Sequence, residues 1–317
     1  MPVYFSLIAA VLPIMGYLFF IWKFDRYDRE PFGLLFKNFT WGAVGAVFFA
    51  FICNSIFSLI VSAIFRDRKF ADLTSTIIGA PVIEEIAKGF FLFITISNKN
   101  FDNFTDGIVY GGAIGLGFGM TENFLYFLSY GKDLNSWINI VFVRTMFSAV
   151  MHCVATAVFG AFLGYAKYKS LLHKIIAVPA GLALAMFIHF AWNFSVSFQA
   201  TSVVGFIFMI MTISIFILAF KLAIINERRL IFEELSDEVK LGFLPDGHLD
   251  IIAFNRKGLI DGINPKDKNN YLKSAVALAF KKRQLNFVGA RQKAEFQNEV
   301  NLLRTKISGY LNWNSGE

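Results

Sequence analysis

Seven stretches of this sequence stay apolar for roughly the 20 residues that a helix needs to cross a bilayer, and nothing else in the chain constrains its fold as strongly. They run over about 3–22, 40–65, 73–97, 106–130, 137–166, 174–198 and 203–225. Composition agrees. With 56% hydrophobic and only 17% charged side chains, the chain lies well outside the roughly 45–50% and 25% of soluble domains. The charge is also unevenly placed: residues 1–226 hold 26 of the 53 charged side chains, and the last 91 residues hold 27. The pattern predicts an all-α polytopic membrane protein of about seven transmembrane helices, with a membrane domain over 1–226 and a soluble tail over 227–317.

The first apolar run continues from Val3 to Trp22 without a basic segment ahead of it, so it reads as a retained span rather than a cleaved signal peptide. Connections that carry Lys23, Arg26, Arg29, Lys37, Lys99, Lys167, Lys169 and Lys174 alternate with connections that carry Arg66, Arg68, Lys69 and Lys132. The richer set belongs inside by the positive-inside rule, which predicts a cell-membrane protein with its C-terminal tail in the cytoplasm. The same rule accounts for the net charge of +7 without nucleic acid as a partner. Cys53 and Cys153 both sit in apolar runs and suggest no disulfide framework.

The tail reads as a small α/β unit. An acidic helix near 227–240 precedes a turn-rich stretch around Pro245-Asp246-Gly247 with short strands, and two helices follow. Phe296, Val300, Leu303, Ile307 and Leu311 recur at three- and four-residue steps and mark one apolar helix face. That face serves either packing within the tail or a protein partner. Lys281-Lys282-Arg283 is a candidate contact for acidic lipid headgroups.

Charged groups within the spans are the more telling feature. Each costs about 2.5–3.5 kcal/mol to insert, which makes an intramembrane ionisable residue a candidate functional site. The third span carries Glu84, Glu85 and Lys88, the fourth Glu122 and Asn123, the fifth Arg144 and His152, and the sixth His189 and Asn193. Glu84 and Lys88 share a helix face, as do His189 and Asn193. A glycine ladder, Gly107, Gly111, Gly115 and Gly119, precedes Glu122; small residues four apart let a second helix approach closely. At 1.5 Å per residue, Glu84, Glu122, His189 and His152 lie roughly 16, 12, 13 and 22 Å below the outer ends of their spans. One outward-open cavity would serve all four.

Such a set supports hydrolysis of a peptide bond, which needs a base for the water, a donor for the oxyanion and an acid for the leaving amine. Glu84 fits the base, Glu122 or a histidine positions the same water, and His189 with Asn193 donates to the oxyanion. Glu85 and Lys88 tune Glu84 electrostatically. Midplane acids and histidines also suit a proton-coupled transporter or a non-catalytic scaffold.

In their order on successive spans, Glu84-Glu85-x-x-Lys88, Phe118-x-x-x-Glu122-Asn123, the stretch Arg144 to His152 and His189-x-x-x-Asn193 resemble the PrsW family of intramembrane proteases, relatives of the CAAX-processing and bacteriocin-processing membrane proteases. Asp25 to Pro31 resembles, more loosely, an acidic proline-containing segment after the first span of that family. The resemblance covers about residues 15–200. Glu122 stands where the CAAX-type enzymes carry histidine, which favours the PrsW side. It implies an intramembrane endopeptidase whose catalytic residues are Glu84, Glu85, Glu122, His152, His189 and Asn193. The implied substrates are membrane-anchored regulators such as anti-sigma factors, cut on the extracytoplasmic side. The expected mechanism is glutamate-activated water without a cofactor. The alternative is Zn²⁺ held by Glu84, Glu122, His152 and His189, a ligand set zinc accepts, although HExxH is missing.

Overall fold

The computed structural model describes residues 2–25, 27, 29–98, 100–254 and 260–311. Arg26, Asp28 and Lys99, used above in the charge and segment readings, lie outside the described residues. The chain divides into two compact units, one of Met1–Phe24 with Glu30–Phe220 and one of Asp25–Arg29 with Lys221–Glu317.

In the first unit, α1 is Val3–Phe24 and α2 is Phe32–Ile64. α3 covers 68–95, with Arg68–Thr74 and Ala80–Thr95 joined by the π-helical turn Ser75–Gly79. α4 is Phe104–Tyr130, α5 is Leu134–Ala166 and α6 is Leu171–Ser197. α7, Ser202–Lys240, begins in this unit and passes into the second at Lys221. Side chains cap three of the starts. Asp67 accepts from the amides of Lys69 and Phe70 at α3, and Asn103 with Asp106 and Asp133 with Ser136 form capping boxes at α4 and α5.

Among the described residues, five helices are able to cross a membrane by length and composition: α1, α2, α5, α6 and α7. The predicted third and fourth spans fall on α3 and α4, outside that set. α3 carries two acids and a lysine in its 16-residue main segment, Ala80–Thr95. α4 is long enough but rich in glycine, and most of its first two thirds is buried by its neighbours. An interior helix has little need of bulky apolar side chains toward lipid.

The glycine ladder explains that burial. A Cβ at Gly107 would overlap the Gly160 carbonyl oxygen, and one at Gly115 would overlap that of His152. Backbone therefore meets backbone along an antiparallel α4–α5 seam, the close approach that small residues allow. Around it pack Leu92, Tyr110, Ile114, Met151, Phe159, Ile188 and Trp192.

The second unit has its own core. α8 is Asp246–Phe254, α9 is Lys268–Leu285 and α10 is Ala290–Leu311. Ile231, Leu235, Leu249, Ile252, Tyr271, Leu278, Phe280, Val300 and Ile307 are buried together, with Leu303 and Leu311 against them. Four members of the predicted apolar face thus pack within the tail. The predicted short strands are corrected: no described residue of the tail forms a strand, and the stretch after Pro245 is α8. Leu249, Ile252 and Ala253 are buried at three- and four-residue steps, a helical period that the turn residues Asp246-Gly247 mask in the sequence.

Candidate active site

Three helical features aim the polar residues at one another. Pro81 sits in the first turn of the Ala80–Thr95 segment, inside the continuous α3, where its missing N–H removes a helical hydrogen bond to the turn before it, and the π turn just before it re-phases the face that carries Glu84, Glu85 and Lys88. A second π turn, Arg144–Ser148 in α5, does the same between Arg144 and His152. The α4–α5 seam then sets the register. His152 stands opposite Gly115, its side chain leans toward the N-terminal end of its own helix, and in this antiparallel pair that direction leads to Glu122.

The result is one connected network. Arg144 donates to Glu122 Oε2 at 2.6 Å and to Asn123 Oδ1 at 3.1 Å, with its guanidinium 3.6 Å above the Tyr126 ring. His152 Nε2 meets the same Glu122 oxygen at 2.7 Å, while His152 Nδ1 lies 2.9 Å from Lys88 Nζ. Lys88, fully buried beneath Phe118, donates to Glu85 Oε1 at 2.5 Å. His189 Nδ1 reaches that same oxygen at 2.9 Å, and Thr156 donates to Glu85 Oε2 at 3.1 Å. Glu84 closes the set: its Oε1 accepts from Asn54 at 3.3 Å, and its Oε2 lies 3.8 Å from His189 Nε2.

Hydrogen-bond logic fixes several protons. Glu85 is acceptor only, so His189 carries its proton on Nδ1 and leaves Nε2 with a free lone pair. The lysine ammonium donates to His152 Nδ1, so His152 donates from Nε2 to Glu122. Glu85 has every oxygen engaged, whereas Glu84 Oε2 is buried and has no hydrogen-bond partner among the described residues. Glu84 Oε2 and His189 Nε2 face each other across 3.8 Å, too far for a direct hydrogen bond. One ligand atom from each of Glu84, His152 and His189 lies within 4.8 Å of the others. Two histidines and a carboxylate make a donor set that zinc accepts, so these residues fit a divalent ion.

Glu84, Glu122, His152 and Asn193 line one cavity of about 770 Å³, together with Asn54, Ser75, Thr76 and Arg144. Of the six sequence-predicted residues, five form the network. Asn193 shares the cavity wall, but its amide donates to the Thr76 carbonyl at 3.0 Å. Asn54, Thr156 and Tyr126 join the site without having been singled out in the sequence. Asn54 had a signal, an amide inside the apolar run Phe51-Ile52-Cys53-Asn54, and Thr156 stands one helical turn after His152. Tyr126 had none.

A family profile described as PrsW family intramembrane metalloprotease matches residues 30–219. Curated relatives named Protease PrsW align with the chain. That of Oceanobacillus iheyensis is 30% identical over 188 residues, covering 59% of this chain and 80% of the relative. That of Bacillus subtilis is 25% identical over 195 residues, covering 60% and 82%. That of Clostridioides difficile is 30% identical over 165 residues, covering 51% and 65%. No solved structure matches the chain.

Proposed function

The chain belongs to the PrsW family of intramembrane metalloproteases, and on that premise we propose that it cuts peptide bonds of membrane-anchored proteins at the Glu84, Glu122, His152 and His189 cluster. It is a protease and an integral membrane protein. The observation that carries the site assignment is the buried Glu84 Oε2, which has no hydrogen-bond partner among the described residues and faces His189 Nε2 across 3.8 Å.

In this reading Glu84, His152 and His189 hold a divalent ion. When bound, zinc supplies Lewis acidity toward the scissile carbonyl and a lowered pKa for water. Glu122 does the proton work. Its Oε2 is held by Arg144 when His152 serves the ion, which leaves Oε1 to take a proton from the attacking water and return it to the leaving amine. Glu85 orients His189 through Nδ1, the arrangement in which a carboxylate fixes a ligand histidine's tautomer, and Lys88 braces Glu85. Asn193 keeps one N–H beyond its bond to Thr76 and contributes it to the developing oxyanion.

A second reading has its own observation. Lys88 and Glu122 between them engage both nitrogens of His152, an arrangement complete without an ion, in which Glu84 itself activates the water. Cleavage of a single-span substrate in liposomes separates the two. Wild type cuts, and Glu84→Gln stays folded and loses about 10²–10⁴-fold in turnover. Loss of activity on chelation and its return with zinc favours the ion; activity that persists favours glutamate alone. No cleavage across a broad panel, with ion flux that depends on Glu84, would favour a proton-coupled carrier instead.

The family resemblance supports anti-sigma-factor-like regulators as substrates. The Lys and Arg distribution supports seven spans, with α3 and α4 added to the five apolar helices, an outward-facing site in the cell membrane and a cytoplasmic tail.

A further inference from the structure

Glu84 is not the only residue of the cavity with an unanswered polar atom. Asn54 Oδ1 and Ser75 Oγ are also buried and have no hydrogen-bond partner among the described residues, and both residues line the same cavity as Glu84. The orientation of Asn54 is dictated by its neighbour. Glu84 Oε1 accepts, so the nitrogen must face it, as the 3.3 Å contact records, and the carbonyl end is left over. Ser75 belongs to the π turn ahead of Glu84. A π turn frees backbone and side-chain groups that a regular helix would pair, and Ser75 Oγ remains unpaired here.

An acceptor on one wall, α2, and a hydroxyl on another, α3, both next to the attacking groups, call for an occupant with donors and acceptors of its own. A transmembrane helix does not qualify, because its amides and carbonyls are bonded internally. Once a short segment is unwound for cleavage, its main chain presents free N–H and C=O groups that must be satisfied inside the bilayer. We propose that Asn54 and Ser75 form a subsite for the unwound main chain of the substrate beside the scissile bond. The Asn54 carbonyl accepts a substrate N–H, and the Ser75 hydroxyl donates to a substrate carbonyl. The proposal rests on the protease reading above and deepens it: preferred substrates carry helix-breaking residues at the cut, and the subsite lowers the cost of unwinding the others.

The test has a binding arm and a turnover arm, both on full-length protein in liposomes with a labelled single-span peptide. In the Glu84→Gln background, adding Ser75→Ala is expected to raise the Kd about three- to tenfold, the worth of one hydrogen bond. In the active protein, Ser75→Ala is expected to raise KM and leave kcat near wild type. Asn54→Leu, which also strips Glu84 of its donor, is expected to change both. Unchanged Kd and KM in Ser75→Ala would overturn the subsite. A wild type that cuts nothing would overturn the protease reading, while the binding arm still decides the subsite.

Discussion

Glu85 and Glu238 are both at most 1% exposed, and both are held by cations, one in the membrane unit and one in the tail. Glu238 accepts from Arg304 through both oxygens at 2.8 Å and pairs with Lys282 at 2.9 Å. Here one acid meets two cations. The membrane network places three acids and two histidines around Lys88 and Arg144, and Glu84 Oε2 is left over. A buried polar network that satisfies itself is structural, while one that leaves an acceptor unpaired in a cavity points to something that binds there. Burial and charge alone do not separate the two; counting donors against acceptors does.

That contrast can be broken from either side. The largest effect belongs to Lys88→Met. It strands Glu85 and takes the donor from His152 Nδ1, so it should cost about 3–5 kcal/mol of stability and nearly all turnover, read by thermal unfolding in detergent and by substrate cleavage. If turnover survives, the network is a staple like the one in the tail. Glu238→Gln is next. It weakens a pair whose cations keep some access to water, at about 1–3 kcal/mol, and should loosen the tail to limited proteolysis without lowering cleavage of substrate at a temperature where it stays folded. Lost turnover there would mean that the tail does more than stand by itself.

The smallest effect is a pH dependence confined to the tail. His248 is buried, with Nδ1 2.7 Å from the Tyr271 hydroxyl and Nε2 2.9 Å from the Asp261 carbonyl, and burial holds its pKa below the usual histidine value. The unfolded chain then binds the proton more readily, so this contribution is present above about pH 6.5 and is lost as pH falls below it. For Glu238, burial works the other way, yet the hydrogen bonds and charges of Arg304 and Lys282 win and hold it below the ordinary carboxylate range. Its contribution begins to fade only below about pH 4.3. Tail proteolysis scanned downward from pH 7.5, normalised to an unfolded peptide, should show an early step as pH falls below about 6.5. The step should disappear in His248→Gln.

Much of this was legible in the residues alone. Apolar length marked the helices of the membrane unit. Cost in lipid singled out Glu84, Glu85, Glu122, His152 and His189, because a charge in an apolar run needs a reason wherever the chain goes. The glycine spacing announced a close helix pair. Such features are local, a matter of composition and of a period along one helix. Which acid is satisfied and which is left open was not legible. Glu84 and Glu85 are neighbours in sequence with the same chemistry, and only the arrival of Thr156, His189 and Lys88 at Glu85 tells them apart. Tyr126 under Arg144 and the helix that replaced the expected strands of the tail belong with them. Sequence determined which groups had to be explained; tertiary structure decided which of them are paired, because a hydrogen bond between residues 104 positions apart, as between His189 and Glu85, depends on how helices pack.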